Sequence, residues 1–199
     1  MTRGAPRQSV FLRRLPYGER LPLGDLLDND LFPFEGEIAT KPLEPPTLPE
    51  PERRGAGGED CRSCGADPNT IWQDDRWRVR IPSEPGGLPT VAVLLPIAHH
   101  DLADLPDELA AELGPMLKRV AAAIETVGGI GRVHFNRWGD GSEHFHVWLL
   151  PRPYGLWQLR GAMLAVWDDL LPKVSRAEWS RNRRTVARAL AAGGGRAAI

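Results

Sequence analysis

The sequence predicts an α+β fold, a mainly antiparallel sheet with packed helices, and three observations predict it. Residues 76–81, Arg-Trp-Arg-Val-Arg-Ile, alternate polar and apolar side chains at the period of a strand with one buried face. Leu109, Leu113, Leu117, Val120, Ile124 and Val127 recur at three- and four-residue spacing, which is the period of a helix with one apolar face. Residues 131–136 and 144–150 alternate again across the loop Arg137–Glu143, the pattern of a hairpin.

Residues 90–95 read as a more fully buried strand, and Pro85, Gly86 and Gly87 supply the turn that leads into it. Pro106 suits the first turn of the helix that follows, and Gly128 and Gly129 end it. Pro115 lies inside that helix, where it removes a donor and crowds the carbonyl four residues back, so a kink or break is expected near Gly114. In the hairpin, Val133 and Phe135 face one way and His134 and Asn136 the other. Phe145, Val147 and Leu149 likewise oppose His144, His146 and Trp148, so one face is core and the other carries chemistry. Residues 158–171 and 176–192 read as C-terminal helices. Residues 175–199 set Arg176, Arg181, Arg183, Arg184, Arg188 and Arg196 against Glu178 alone, a solvated face before a phosphate-binding one.

The chain has 199 residues, 42% hydrophobic and 26% charged, which fits one ordinary core and excludes wholesale disorder or a fibrous repeat. With 25 basic and 26 acidic residues the net charge is −1, so no global field holds a polyanion, and nucleic acid is not the expected partner. The longest apolar run, Val91–Leu95, is far shorter than the roughly 20 residues of a membrane span. Arg3, Arg7, Arg13 and Arg14 interrupt the N-terminal region without a signal-like apolar run, so the expected setting is the cytoplasm, without a membrane.

Pro42, Pro45, Pro46, Pro49 and Pro51, then Gly55, Gly57 and Gly58, mark a linker or wrapping arm. The short clusters Phe11, Leu12, Leu15; Leu26, Leu27; and Leu31, Phe32, Phe34 have no sustained period and suggest an extended arm, not a separate domain. The expected organisation is an arm and linker over 1–59, a main domain over 60–155 and a helical extension over 156–199.

All five histidines, His99, His100, His134, His144 and His146, lie within residues 99–146, and this clustering is the main chemical signal. On a strand, His144 and His146 project from one face roughly 6.5 to 7 Å apart. His134, alone on its strand, reads as a histidine satisfying a hydrogen bond. Cys61-x-x-Cys64 suggests a metal or redox site in a reducing compartment, and two cysteines need two further ligands to hold zinc. Gly139-Asp140-Gly141 reads equally as a tight turn or a phosphate-binding loop, with Ser142 beside it; Trp138 and Trp148 either pack or stack on a base.

Taken in order, Cys61-x-x-Cys64, Trp72-x-Asp74-Asp75-x-Trp77, Pro96-x-x-His99, the 106–127 helix, Asn136, His144-Phe-His146-Val-Trp148-Leu-Leu150 and Pro151-Arg152 resemble a histidine-triad (HIT) domain over roughly residues 60–155. The resemblance implies an α+β, mainly antiparallel sheet and a nucleotide or nucleotide conjugate as ligand. It also implies hydrolysis or transfer of nucleoside monophosphate groups through a covalent nucleotidyl-histidine intermediate. His146 takes the nucleophile's place, Asn136 would orient sugar or imidazole, and Ser142, Gly141 and Trp148 would meet the substrate. The motif departs from the family at Trp148, where a third histidine is usual, because indole donates one hydrogen bond but relays no proton. The related galactose-1-phosphate uridylyltransferases carry glutamine there and keep covalent chemistry. The loop between Asn136 and His144 is also shorter than is usual in the family. In zinc-containing relatives the remaining ligands would correspond to His99, or its neighbour His100, and His144, giving a structural zinc. A homodimer is a further implication. The alternative to an enzyme is a zinc-stabilised nucleotide-binding module without turnover.

Overall fold

The computed structural model describes residues 15–199, so Arg3, Arg7, Arg13, Arg14, Phe11 and Leu12 lie outside the described residues. Contacts divide the chain into two units, one ending at Glu52 and the other spanning Arg53–Ile199. In the first unit the chain doubles back on itself: Gly18 donates to the Leu43 carbonyl at 2.8 Å and Leu43 to that of Glu19 at 3.0 Å. Arg20 faces Pro42 in an isolated bridge, and Phe32 and Phe34 meet edge to face.

The second unit is built on a six-stranded sheet in the order β4-β5-β3-β2-β1-β6, in which all neighbouring strands pair antiparallel. Its strands are β1 (Thr70–Gln73), β2 (Trp77–Arg80), β3 (Ala92–Pro96), β4 (Ile130–Asn136), β5 (Val147–Pro153) and β6 (Arg196–Ala197). Its helices are α1 (Asp107–Glu125), α2 (Leu164–Leu170) and α3 (Arg176–Ala192). None of the described helices is long and apolar enough to cross a membrane.

The alternation seen in the sequence decides which residues enter which layer. Trp77, Val79 and Ile81 join Ala92, Leu94, Phe145, Val147 and Leu149 on one face, under Leu109, Val120 and Ile124 of α1 and Val186 and Leu190 of α3. A smaller apolar cluster, Leu88, Val91, Leu150, Leu159 and Leu164, lies on the other face, where α2 and Trp148 close it. On β2 the intervening arginines face this second side and tie down the segment before β1. Arg78 donates to the Gly65 carbonyl at 2.7 Å, and Arg80 pairs with Asp67 at 3.1 Å.

Several expected boundaries shift. No break occurs near Gly114: α1 runs through Pro115 as one helix of 19 residues. The lost hydrogen bond and the clash cost about 3 kcal/mol. Each large apolar side chain that the helix buries, among them Leu109, Met116, Val120 and Ile124, returns about 1.5 to 3 kcal/mol, so packing outweighs the proline. The expected 158–171 helix is two short 3₁₀ turns followed by α2, because the chain bends at Arg160 and Gly161, the latter with φ of +75°. The strand expected over 144–150 enters the ladder only at Val147.

Strands β1 and β6 carry no local signal strong enough to read. Residues 194–197 reach the sheet because Trp72 Nε1 donates to the Gly194 carbonyl at 2.9 Å and Arg119 holds the same carbonyl at 2.6 Å. Gly195 has φ of +70°, and a Cβ there would stand 2.5 Å from the Trp72 ring, so the close approach requires glycine. Residues 53–58, read as linker, dock on the loop before β5. Arg53 and Arg54 donate to the carbonyls of Gly139 and Gly141 at 3.1 Å each, and Gly57 donates to Glu143 at 3.0 Å.

Candidate active site and metal centre

Cys61, Cys64, His99 and His144 converge, and all four candidate ligand atoms lie within 4.8 Å of one another. Sγ of Cys61 is 3.4 Å from His144 Nδ1, Sγ of Cys64 is 3.4 Å from His99 Nδ1, and Cys64 Sγ is 3.6 Å from His144 Nδ1. A tetrahedral zinc with sulfur and imidazole ligands puts its donor atoms about 3.3 to 3.8 Å apart, so the donor set and these three sulfur–nitrogen separations fit that ion. His144 is buried, and its Nε2 donates to the Pro96 carbonyl at 2.9 Å, which fixes the tautomer and turns the Nδ1 lone pair toward the thiols. Burial, partly opposed by the Pro96 bond, keeps this imidazole below its usual pKa and so neutral. His100 instead supplies its backbone carbonyl to the amide of Phe145 at 2.6 Å.

The Cys64 thiol is pushed up to about 11, first by burial, then by its hydrogen bond with Cys61 and that neighbour's charge. A redox-active C-x-x-C pair needs a lowered thiol pKa, which Cys64 lacks; the convergence of four donors is what points to ligation. A charged network joins the cluster to the loop before β5. Asp101 pairs with Arg53 and Arg137 at 2.7 Å each, Arg53 reaches Glu143 at 3.6 Å, and Glu143 lies 3.7 Å from His99 Nε2. Burial works to raise the Asp101 carboxyl, but hydrogen bonds from Arg53 and Leu102 and the charges of Arg53 and Arg137 hold it below its usual value.

His146 lies across the same backbone, two residues on. Its Nδ1 donates to the His144 carbonyl at 2.8 Å, so Nε2 keeps its lone pair. The side chain lines a cleft of about 490 Å³ together with Gly141, Ser142 and Trp148. The Trp148 ring stands edge-on to His146, with centroids 6.4 Å apart, and Trp138 is tilted against it at 6.5 Å. Of the residues expected at the site, His146, Ser142, Gly141 and Trp148 are therefore brought together. Asn136 pairs with Trp148 across the β4–β5 ladder but is not part of the cleft wall.

Sequence reading missed four polar residues of this wall. Arg54 comes from the segment read as linker, Arg80 from β2, and Asp168 and Asp169 from α2. None sits in a local motif; only the docking of residues 53–58 and of α2 brings them to the cleft. Asp168 accepts from the Leu88 amide at 2.8 Å, yet burial raises its pKa above the usual carboxylate value.

Neither a protein-family model nor a curated protein matches the sequence. Among solved structures, the chain is similar to a hypothetical histidine triad nucleotide-binding protein from Sulfolobus tokodaii, with 13% identity over 65% of this chain and 91% of that one, at a TM-score of 0.49. A zinc-bound histidine triad family protein from Mycobacterium smegmatis shares 20% identity over 69% of this chain and 88% of its own, at 0.45. A uridylyltransferase shares 18% identity over 63% of this chain and 42% of its own, at 0.42.

Proposed function

We propose that the chain is a nucleotide phosphohydrolase or nucleotidyltransferase working through a covalent nucleotidyl-histidine at His146. The observation that carries this reading is the hydrogen bond from His146 Nδ1 to the His144 carbonyl, which makes Nδ1 the donor and leaves Nε2 as the ring's nucleophilic nitrogen, on a side chain that lines a cleft of nucleotide size. Nε2 attacks the α-phosphorus, the bond from phosphorus to the leaving oxygen breaks, and the leaving group departs with the electron pair. Water or an acceptor hydroxyl then attacks the same phosphorus, releases Nε2 and gives up its proton to solvent. The Arg54 guanidinium, Ser142 and the Gly141 amide, which line the cleft, would hold phosphate oxygens, and Trp148 would stack on the base. Asn136, opposite Trp148 but outside the cleft wall, would orient the sugar of a nucleotide that extends past Trp148.

In the same reading Cys61, Cys64, His99 and His144 hold one structural zinc with four protein ligands and no open position. Zinc there supplies a crosslink between residues 61–64, the end of β3 and the approach to β5. Reduced thiols fit a cytoplasmic setting. A homodimer is consistent with β4 being a sheet edge with Phe135 48% exposed. The second reading, a zinc-stabilised nucleotide-binding module without turnover, is favoured by Trp148, which cannot protonate a leaving group.

Intact mass spectrometry after brief incubation with a panel of nucleotides and nucleotide conjugates tests the proposal. A phosphorus-containing adduct on wild type that is absent from His146→Ala is the expected result. Nucleotide binding without adduct or turnover across the panel selects the binding module instead.

A further inference from the structure

The sheet face that carries His146 continues beyond the cleft into a second cavity of about 560 Å³. Strand register locates it. Asn136 pairs with Trp148, His134 with Leu150 and Arg132 with Arg152, so this cavity begins level with Leu150, the last β5 residue of the first wall, and runs on past Arg152 without sharing a lining residue with the cleft. Its polar and aromatic wall is Arg132, His134, Arg152, Tyr154, Trp157 and Arg160, and among the described residues no carboxylate lines it.

The details suit an anion carrying a planar ring. Arg152 is 7% exposed, and its Nη1 donates to the carbonyls of Pro153 and Leu156 at 3.0 and 3.3 Å, so backbone oxygens position the guanidinium without cancelling its charge. A Cβ at Gly131 would lie 2.8 Å from Arg152 Nη2; glycine lets the guanidinium rest against β4. Arg132 is exposed, and its Nη1 donates only to the adjacent Gly131 carbonyl among the bonds described. His134 was expected to satisfy a hydrogen bond; its Nε2 is buried and has no partner among the described residues. Burial first, then the Arg152 charge, lower its pKa, so the ring stays neutral and has one polar atom to satisfy. Trp157 is 65% and Tyr154 81% exposed, which is unusual for such large rings, and the Arg152 and Arg160 guanidinium carbons lie 5.7 and 4.7 Å from the Trp157 ring centre.

We propose that this cavity is a second, separate site for a nucleoside monophosphate or a similar aromatic phosphate, its ring stacked on Trp157 or Tyr154 and its phosphate held by Arg132 and Arg152. A buried guanidinium without a carboxylate gains from a phosphate, and the solvent-exposed parts of the Tyr154 and Trp157 rings gain from a base. Neither feature alone specifies both halves of the ligand. The site needs no chemistry at His146.

Titrating the full chain with adenosine 5′-monophosphate tests this, with the His134 and His146 imidazole resonances and the Trp157 contribution to fluorescence as readouts. The nucleotide should move the His134 resonance and quench the emission that Trp157→Phe removes. Arg132→Gln, on an exposed side chain, should weaken both responses about tenfold or more, and His146→Ala should leave them unchanged. Adenosine and inorganic phosphate should each bind more weakly than the nucleotide. A His134 response with none at His146 supports the second site and counts against the cleft. A His134 resonance that ignores the nucleotide, a response indifferent to Arg132→Gln, or phosphate binding as tightly as the nucleotide overturns the proposal.

Discussion

His146 donates from Nδ1 to the carbonyl oxygen of His144, 2.8 Å away, while the His144 ring turns its own Nδ1 to the cysteines. One short stretch of backbone thus assigns two histidines opposite duties. The first directs its lone pair at the cysteine sulfurs, as a metal ligand would; the second keeps Nε2 free of that bond. A ligated imidazole has no lone pair to give a phosphorus atom.

His146→Ala should therefore lower any nucleotidyl transfer by about 10³-fold or more while leaving metal content and fold intact. His144→Ala should lose metal and stability together, because it removes both a ligand and the bond to Pro96. Steady-state kinetics, elemental analysis and thermal melts on the two variants separate the roles. A His146→Ala protein within threefold of wild-type turnover would reject the covalent mechanism.

Trp148 leaves the leaving group without a proton donor at that position, so wild-type turnover should fall steeply as the leaving group becomes more basic. Trp148→His should flatten that dependence and raise turnover of the poorest leaving groups by about 10²-fold, the low end of general acid catalysis. A series of nucleoside phosphoesters with graded leaving-group acidity gives both slopes. Equal slopes would mean that the proton comes from elsewhere.

Metal removal should be felt in the loop that lines the cleft, because Gly57 and Glu143 link the cysteine segment to it. Cys61→Ser should bring zinc from about one per chain to near zero and cost about 3 kcal/mol, or roughly 6 to 12 °C in melting temperature for a chain of this size. Unchanged metal content together with an unchanged melting temperature would remove the zinc site from consideration.

Asp168 predicts a pH dependence. Burial, helped by the charge of Asp169 and opposed by the amides of Leu88 and Gly87, raises its folded-state pKa above the usual 3.8. Its contribution to stability is therefore complete below that usual value and is lost as pH rises through the raised one. Asp168→Asn keeps an acceptor for the Leu88 amide and carries no charge. It should be more stable than wild type at pH 7, with the advantage shrinking as pH is lowered through that window. Thermal melts at a series of pH values check the sign, and a variant less stable at pH 7 contradicts it.

The sequence by itself determined the layers of the sheet and the identity of the chemical face. Period-two alternation in Arg76–Ile81 and in His144–Leu150 depends only on the pleat, so Phe145 and Val147 went to the core and His144 and His146 away from it wherever the strand began. The helical period of α1 was equally legible, and so was the meeting of Cys61 and Cys64 with histidines, since the motif order resembles a known family. Only the tertiary structure decided that α1 continues through Pro115, because the outcome depends on apolar area buried against distant residues. It also decided that Arg53 and Arg54 dock on the loop at Gly139–Gly141 and that β6 pairs with β1. These contacts join residues more than eighty positions apart. The separation of the two histidines' roles was beyond local pattern too: it rests on which carbonyl each ring meets, the His144 ring reaching Pro96 and the His146 ring reaching His144.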